Sequence, residues 1–166
     1  MASPANSWDP KGYWDHYTPD ARAPWDLRRV VHLHRRAGFA ATWAELQRDL
    51  KDGPAKSINR LLQGTARREG VPEDFGQVAD NLAGLAVEAG NAGDLKAWWL
   101  YRMYAGPDPL GERLTLLWHN HFATSNDKVN DPAAMRRQNE LFRARGRGPF
   151  GKLLEAVVHD LSLIHI

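Results

Sequence analysis

His119-Asn120-His121 is the place where side chains able to do chemistry stand closest together in this sequence. It lies inside Leu114-Thr115-Leu116-Leu117-Trp118-His119-Asn120-His121-Phe122-Ala123-Thr124-Ser125, the densest meeting of apolar, aromatic and imidazole groups in the chain. Two histidines one residue apart suggest a metal, but on a helix positions i and i+2 point about 200° apart. One ion needs ligands at i and i+3 or i+4, so His119 and His121 do not chelate together on an unbroken helix. The same geometry separates His32 from His34. A nuclease motif shares the letters His-Asn-His, but it scatters its residues over a ββα unit and is not contiguous.

The helical wheel gives a different reading. Leu110, Leu114, Leu117 and His121 share one face with Trp118 beside them, which predicts an inward His121 and an outward His119. On the following segment Met135, Gln138 and Phe142 align, so Gln138 falls in the middle of an apolar stripe and Asn139 at its border. A buried imidazole or amide needs a partner, because leaving one unpaired costs about 1–3 kcal/mol. The expectation is a polar network joining two helices through His121 and Gln138 or Asn139. In its structural form the network fixes helix register. In its functional form it lines a pocket in which His119 or His121 acts as general base, so that His119, His121 and Gln138 are the candidate catalytic residues.

A second candidate is the basic stretch from Lys128 to Lys152, with Arg136, Arg137, Arg143, Arg145 and Arg147 against only Asp131 and Glu140. Such a face can bind phosphate or nucleic acid. It lacks interleaved exposed aromatics and any reader motif. The expectation is therefore a solvated helix face, or one that meets an acidic part of the same protein, and nucleic acid is not an expected partner. Arg28, Arg29, Arg35 and Arg36 form a second basic cluster, partly offset by Asp26 and Glu45, to which the sequence assigns no function. A nucleophile elbow, a P-loop, a dinucleotide glycine pattern and His-Glu-x-x-His are all missing. No metal and no cofactor is expected.

Helices must position these groups. Leu27, Val30, Val31 and His34 fall at helical spacing from about Trp25 to Arg36, with Gly38 expected to follow in the left-handed region. Thr42 and Glu45 have capping-box spacing for a helix ending at Gly53, and Pro54 suits the first turn of the next, closed by Gly64. A loop over Thr65 to Glu73 precedes a helix over roughly Phe75 to Ala89, which turns Val78, Leu82, Leu85 and Ala86 to one side. Leu95, Trp98, Trp99, Arg102 and Met103 mark a helix from Asp94 to Tyr104. Asp108-Pro109 and Asp131-Pro132 each read as a cap followed by proline at the first helical position. Those helices run to about Phe122 and Arg145, with a polar turn between them. Phe150, Leu153, Leu154, Val157 and Val158 make the last stripe. No segment alternates as a strand does. The fold class is all-α, an irregular array of about eight short helices with no sheet.

At 166 residues the chain suffices for one domain with a sizeable core. A formal charge of +2 gives no electrostatic case for nucleic acid from the total alone. The lack of cysteine excludes disulfides and thiolate metal sites. No apolar run approaches the roughly 20 residues that span a bilayer, so no membrane is expected as a partner. The first ten residues lack the basic and apolar regions of a signal peptide, which makes a cytoplasmic location the expectation. Seven tryptophans read as packed core rather than as a sugar-binding surface. Residues 1–24, rich in proline, aspartate and aromatics, read as an arm laid over a helical domain at 25–160.

Several stretches together resemble the large bacterial family of domain of unknown function 1800. They are His32-Leu33-His34-Arg35-Arg36-Ala37-Gly38-Phe39, Trp98-Trp99-Leu100-Tyr101-Arg102-Met103, Leu116 to Ser125, Lys128-Val129, Gln138-Asn139-Glu140-Leu141 and Leu153 to Asp160. His34 stands where the family usually has leucine, and Ala40 where it often has glycine. The family carries no established activity, so the resemblance supplies no mechanism. It does imply greater length, with a proline-bearing segment and a polar helix after the His-Asp pair. Here Leu161-Ser162-Leu163-Ile164-His165-Ile166 follows instead, which is what CTG-TCT-CTT-ATA-CAC-ATC encodes, the start of a transposase adapter used in sequencing libraries. The expectation is that 161–166 are a non-native read-through tail and that the helical domain is incomplete at its C-terminal end. The missing C-terminal half of the same protein is then the implied partner.

These readings converge on the N-terminal part of a bacterial all-helical protein of uncharacterised function, a binding or scaffold module working through its aromatic arm and basic face. The alternative is an enzyme with a His/Gln-lined pocket. Nucleic-acid or phosphate binding through the 128–152 face stands behind both.

Overall fold

Side-chain caps determine where this chain turns into helix. The computed structural model describes residues 16–64, 71–123 and 125–160. The expected tail at 161–166, residues 1–15 of the arm, 65–70 of the loop and Thr124 lie outside the described residues. Asp26 accepts from the Arg29 backbone N–H to open α1 (Leu27–Ala37). Thr42 and Glu45 complete a capping box at α2 (Trp43–Asp52). Gly53, at φ 81°, ends α2 and delivers Pro54 to the first position of α3 (Pro54–Leu62). After α4 (Phe75–Glu88), the Asn91 side chain caps α5 (Ala92–Ala105), so that helix starts at Ala92 rather than Asp94. Asp108 and Asp131 cap α6 (Pro109–Phe122) and α8 (Pro132–Arg145). The polar turn between them holds one short helix, α7 (Asn126–Val129), capped by Ser125. With α9 (Phe150–Val158), nine helices and no strand occur among the described residues, where about eight helices were expected. None of these helices is long and apolar enough to cross a membrane.

Gly38 departs from expectation. Its φ of −155° is extended, not left-handed. What it supplies is room: a Cβ there would stand 3.1 Å from the Pro109 Cβ, so glycine lets the end of α1 pass against the start of α6.

Two apolar clusters fill the interior. In the first, Phe75, Ala79, Ala83 and Ala86 of α4 pack on Leu95 and Trp98 of α5. Of the α4 face expected inward, Ala86 is buried, but Leu82 and Leu85 are exposed. An alanine stripe lets α5 bring its bulky indole close, where a leucine stripe would hold the helices apart. In the second, Phe142, Leu153 and Val157 join Trp118, Phe122 and Leu141 where α8 meets α9 and the end of α6. The Trp118 Nε1–H donates to the Gly146 carbonyl at 3.0 Å, anchoring the turn into α9. Leu153 and Val157 are buried, while Phe150, Leu154 and Val158 of the same expected stripe are exposed.

A polar hub joins α1, α2 and α3. The carboxylate of Asp49, on α2, is 1% exposed. It accepts from His34 Nε2 of α1 at 2.7 Å, from Arg60 Nη1 of α3, and from Arg48 Nε at 3.3 Å. The backbone carbonyl of Asp49 accepts from Trp25 Nε1 at 3.0 Å and Ser57 Oγ at 3.2 Å. Arg60 also reaches Asp52. The described part of the arm folds back here, with the Tyr17 hydroxyl on the Ala23 carbonyl at 2.8 Å and its ring 6.2 Å from that of Trp25.

Removing one partner from a buried ion cluster leaves uncompensated charge, which costs about 3–5 kcal/mol. Asp49→Ala should therefore destabilise the fold by that order in urea unfolding. Asp49→Asn, which keeps an acceptor for the hydrogen bonds, should lose less. Equal and small losses would show that the hub does not hold these helices together.

Candidate ligand-binding cleft

The buried side of α6 is its polar side. Gly111, Glu112 and Thr115 are buried and His119 partly so, whereas Leu117 is 52% exposed. Thr115 satisfies itself by donating to the Gly111 carbonyl at 2.9 Å. Glu112 is the reason for the orientation. Its Oε1 accepts from Arg102 Nε of α5 at 3.1 Å and Arg143 Nε of α8 at 2.7 Å. Its Oε2 accepts from Trp99 Nε1 and from Arg143 Nη2, each at 3.2 Å. A carboxylate 4% exposed is thus shared by groups from two other helices.

The network continues outward. Arg143 Nη2 also donates to Asn139 Oδ1. A guanidinium only donates, so it fixes which end of the amide faces it and leaves Asn139 Nδ2 aimed at His119 Nε2, 3.2 Å away. His119 Nε2 is then the acceptor, and the imidazole proton sits on Nδ1. The His119 ring lies 4.6 Å from the Trp99 ring and meets Phe142 edge-on at 4.8 Å. Burial, and secondarily the Arg143 cation, push its pKa from the ordinary 6.5 to about 4, against a smaller opposing pull from Asp160. His119 is therefore neutral near pH 7.

This corrects the expected placement of the two histidines. His119, not His121, is the inward residue bonded to an amide, and that amide is Asn139. His121 is exposed and sits edge-on to Trp118, Phe122 and Phe150, with centroids 5.7, 4.9 and 6.2 Å away. Gln138 is fully buried on α8, outside the lining of the cleft described below. Of the three candidate catalytic residues, His119 alone lines the cleft. Glu112, Arg102 and Trp99 were missed as site-forming residues. The available signal was an acid, a hydroxyl and an imidazole at 112, 115 and 119, spaced as one helical face.

His119 and Asn139 form one wall of a cleft of about 340 Å³ between α5, α6, α7 and α8. Leu95, Trp98, Leu116 and Met135 give it an apolar side, and Lys96 and Asp127 stand on it with opposite charges. Two of its lining residues carry buried polar atoms with no hydrogen-bond partner, the donor Trp98 Nε1 and the acceptor Asn126 Oδ1. The indole of Trp98 is 3% exposed and lies under two guanidiniums, Arg102 at 5.8 Å and Arg143 at 5.5 Å. Among the described residues no three histidine, cysteine, aspartate or glutamate side chains are grouped to hold a metal ion.

The expected basic face is largely engaged internally. Arg143 belongs to the Glu112 cluster, Arg147 pairs with Asp108 at 2.6 Å, and Arg136 pairs with Glu140 at 2.7 Å. Arg137 and Arg145 are exposed.

Compared with known proteins, residues 32–165 match the model of a family described as protein of unknown function (DUF1800). No curated protein and no solved structure matches the chain.

Two measurements check this geometry. Glu112→Gln leaves Arg102 and Arg143 facing a neutral group and should destabilise the fold by about 3–5 kcal/mol in urea unfolding. A loss under about 1 kcal/mol would dismiss the cluster as the organiser of α5, α6 and α8. For pH, the folded pKa of His119 lies below the unfolded one, so the unfolded chain binds the extra proton between pH 6.5 and 4. Its contribution is intact above pH 6.5 and is lost as pH falls to about 4, by about 3 kcal/mol at most. His119→Gln should flatten the stability profile in that window, and parallel profiles for the two proteins would refute the assignment.

Proposed function

The chain belongs to the DUF1800 family, and we propose that its helical domain is a binding module whose ligand site is the cleft beside His119. The observation that carries this reading is the pair of buried, unpartnered atoms in that cleft, Trp98 Nε1 and Asn126 Oδ1. Each such atom costs about 1–3 kcal/mol, so an orphaned donor and an orphaned acceptor lining one cleft favour a ligand that supplies the complements. The volume suits a small molecule. Lys96 and Asp127 offset one another, and His119 and Asn139 are neutral hydrogen-bonding groups. The ligand class that fits is a small uncharged molecule with both donors and acceptors and one apolar side.

Catalysis by His119 is the poorer fit. A general base works best with a pKa near the operating pH, and this imidazole titrates at about 4 with Nε2 already engaged by Asn139.

The test is a screen of neutral polar fragments, monosaccharides and nucleosides among them, read by nuclear magnetic resonance of the indole N–H groups. Binders should shift the Trp98 and Trp99 signals and should lose that effect in Asn126→Leu, with its fold verified by circular dichroism. A screen that leaves both indole signals in place at millimolar concentration rejects the reading.

A further inference from the structure

Arg136 and Arg143 of α8, and Arg147 just beyond it, are engaged with carboxylates of the same chain, but the arginines of α1 are not. Arg22, Arg28, Arg29, His32, Arg35 and Arg36 line one groove of about 1080 Å³ along the outer side of α1. Among the described residues none of Arg22, Arg28, Arg35 and Arg36 is paired with a carboxylate, and all four are exposed. The nearby acids are occupied elsewhere: Asp26 caps the Arg29 N–H and Glu45 accepts from the Thr42 N–H at 2.6 Å. Arg29 lies over the Tyr17 ring at 5.1 Å. Like charges this close together raise the potential of a concave surface and attract a partner of opposite sign.

We propose that this groove binds an acidic, extended polypeptide segment. Guanidinium forks recognise carboxylates and phosphates alike, so the rest of the groove decides the class. Leu27, Val31 and Pro24 give it an apolar side, which suits side chains alternating with the acids. Among the described residues no phenylalanine, tyrosine or tryptophan lines it, so they offer no platform for stacking nucleobases. Its recessed shape does not complement a flat lipid surface. Arg28 and Arg35 are about 10 Å apart along the helix axis. That distance corresponds to roughly three residues of extended chain. The matching ligand therefore carries acids about two to four residues apart on one face of the extended segment.

The experiment uses the full chain and three labelled probes: poly-L-glutamate, a single-stranded oligothymidylate, and phosphatidylserine vesicles. Binding is followed by fluorescence anisotropy, or by co-sedimentation for the vesicles, at rising salt. Poly-L-glutamate should bind in a salt-sensitive manner. Arg28→Glu with Arg35→Glu should weaken it about tenfold or more, and Arg145→Glu at the exposed end of α8 less than about twofold. Circular dichroism melting verifies that the variants fold, and Arg28→Gln with Arg35→Gln replaces the double reversal if it does not. Tighter binding of the oligonucleotide or the vesicles overturns the peptide assignment. An equal loss in Arg145→Glu, or no binding of poly-L-glutamate at low salt, overturns the site.

Discussion

A carboxylate cannot leave water without partners, and in this domain that constraint falls on Glu112. Its oxygens take donors from Trp99 and Arg102 of α5 and Arg143 of α8. The orientation of α6 follows. To present Glu112 inward the helix must also turn in Thr115 and His119, which share its face, and must leave Leu117 facing out. Placing Leu117 inside instead would bury more apolar area, but it would strand two guanidiniums that are mostly buried already, with side chains 17% and 18% exposed. Breaking such a cluster costs more than one leucine gains.

The front of the domain solves the same problem with different residues. Asp49 sits on the middle helix of three and takes His34 from one neighbour and Arg60 from the other. Both hubs put an acid at the centre and its hydrogen-bonding partners on flanking helices. Such pairs add little net stability over apolar packing, but they tolerate only one register. The α4–α5 contact, built on alanines against Leu95 and Trp98, has no such device and relies on shape.

Local chemistry was legible in the sequence and face selection was not. The caps at Thr42, Asp108 and Asp131, and the prolines after two of them, act within four residues of themselves, so they are found where they were expected. The all-helical class follows from the same short-range signals. Periodicity went wrong on α4 and α6 because it assumes that the apolar face goes inward. On α4 the small residues are the buried ones, and on α6 the polar ones are. The second error exchanged His119 with His121, although a hint existed: Arg102 stands in the middle of an otherwise apolar stripe and needed an acid from somewhere. The basic clusters show the same limit of local reading. Arg143 and Arg147 find their acids 31 and 39 residues away, beyond what counting charges along a segment can detect, while the α1 arginines have no such long-range partner among the described residues.

The dependence of His119 on this cluster bears on what the site can do. For His119 to act as a base, its Nε2 must be released from Asn139 and its surroundings must tolerate an imidazolium. Asn139 cannot simply flip, because Arg143 holds its oxygen, and Arg143 cannot move without uncovering Glu112. Protonation would also place a second cation near Arg143 in a setting that already depresses the pKa to about 4. Each route to a working base therefore disrupts the ion cluster that fixes α6. The same rigidity suits recognition, since groups held in place before the ligand arrives lose little freedom on binding it. An imidazole of fixed tautomer, an amide of fixed orientation and a buried indole N–H make a wall whose hydrogen-bond pattern is set by the fold, and such a wall selects a ligand by pattern rather than by charge.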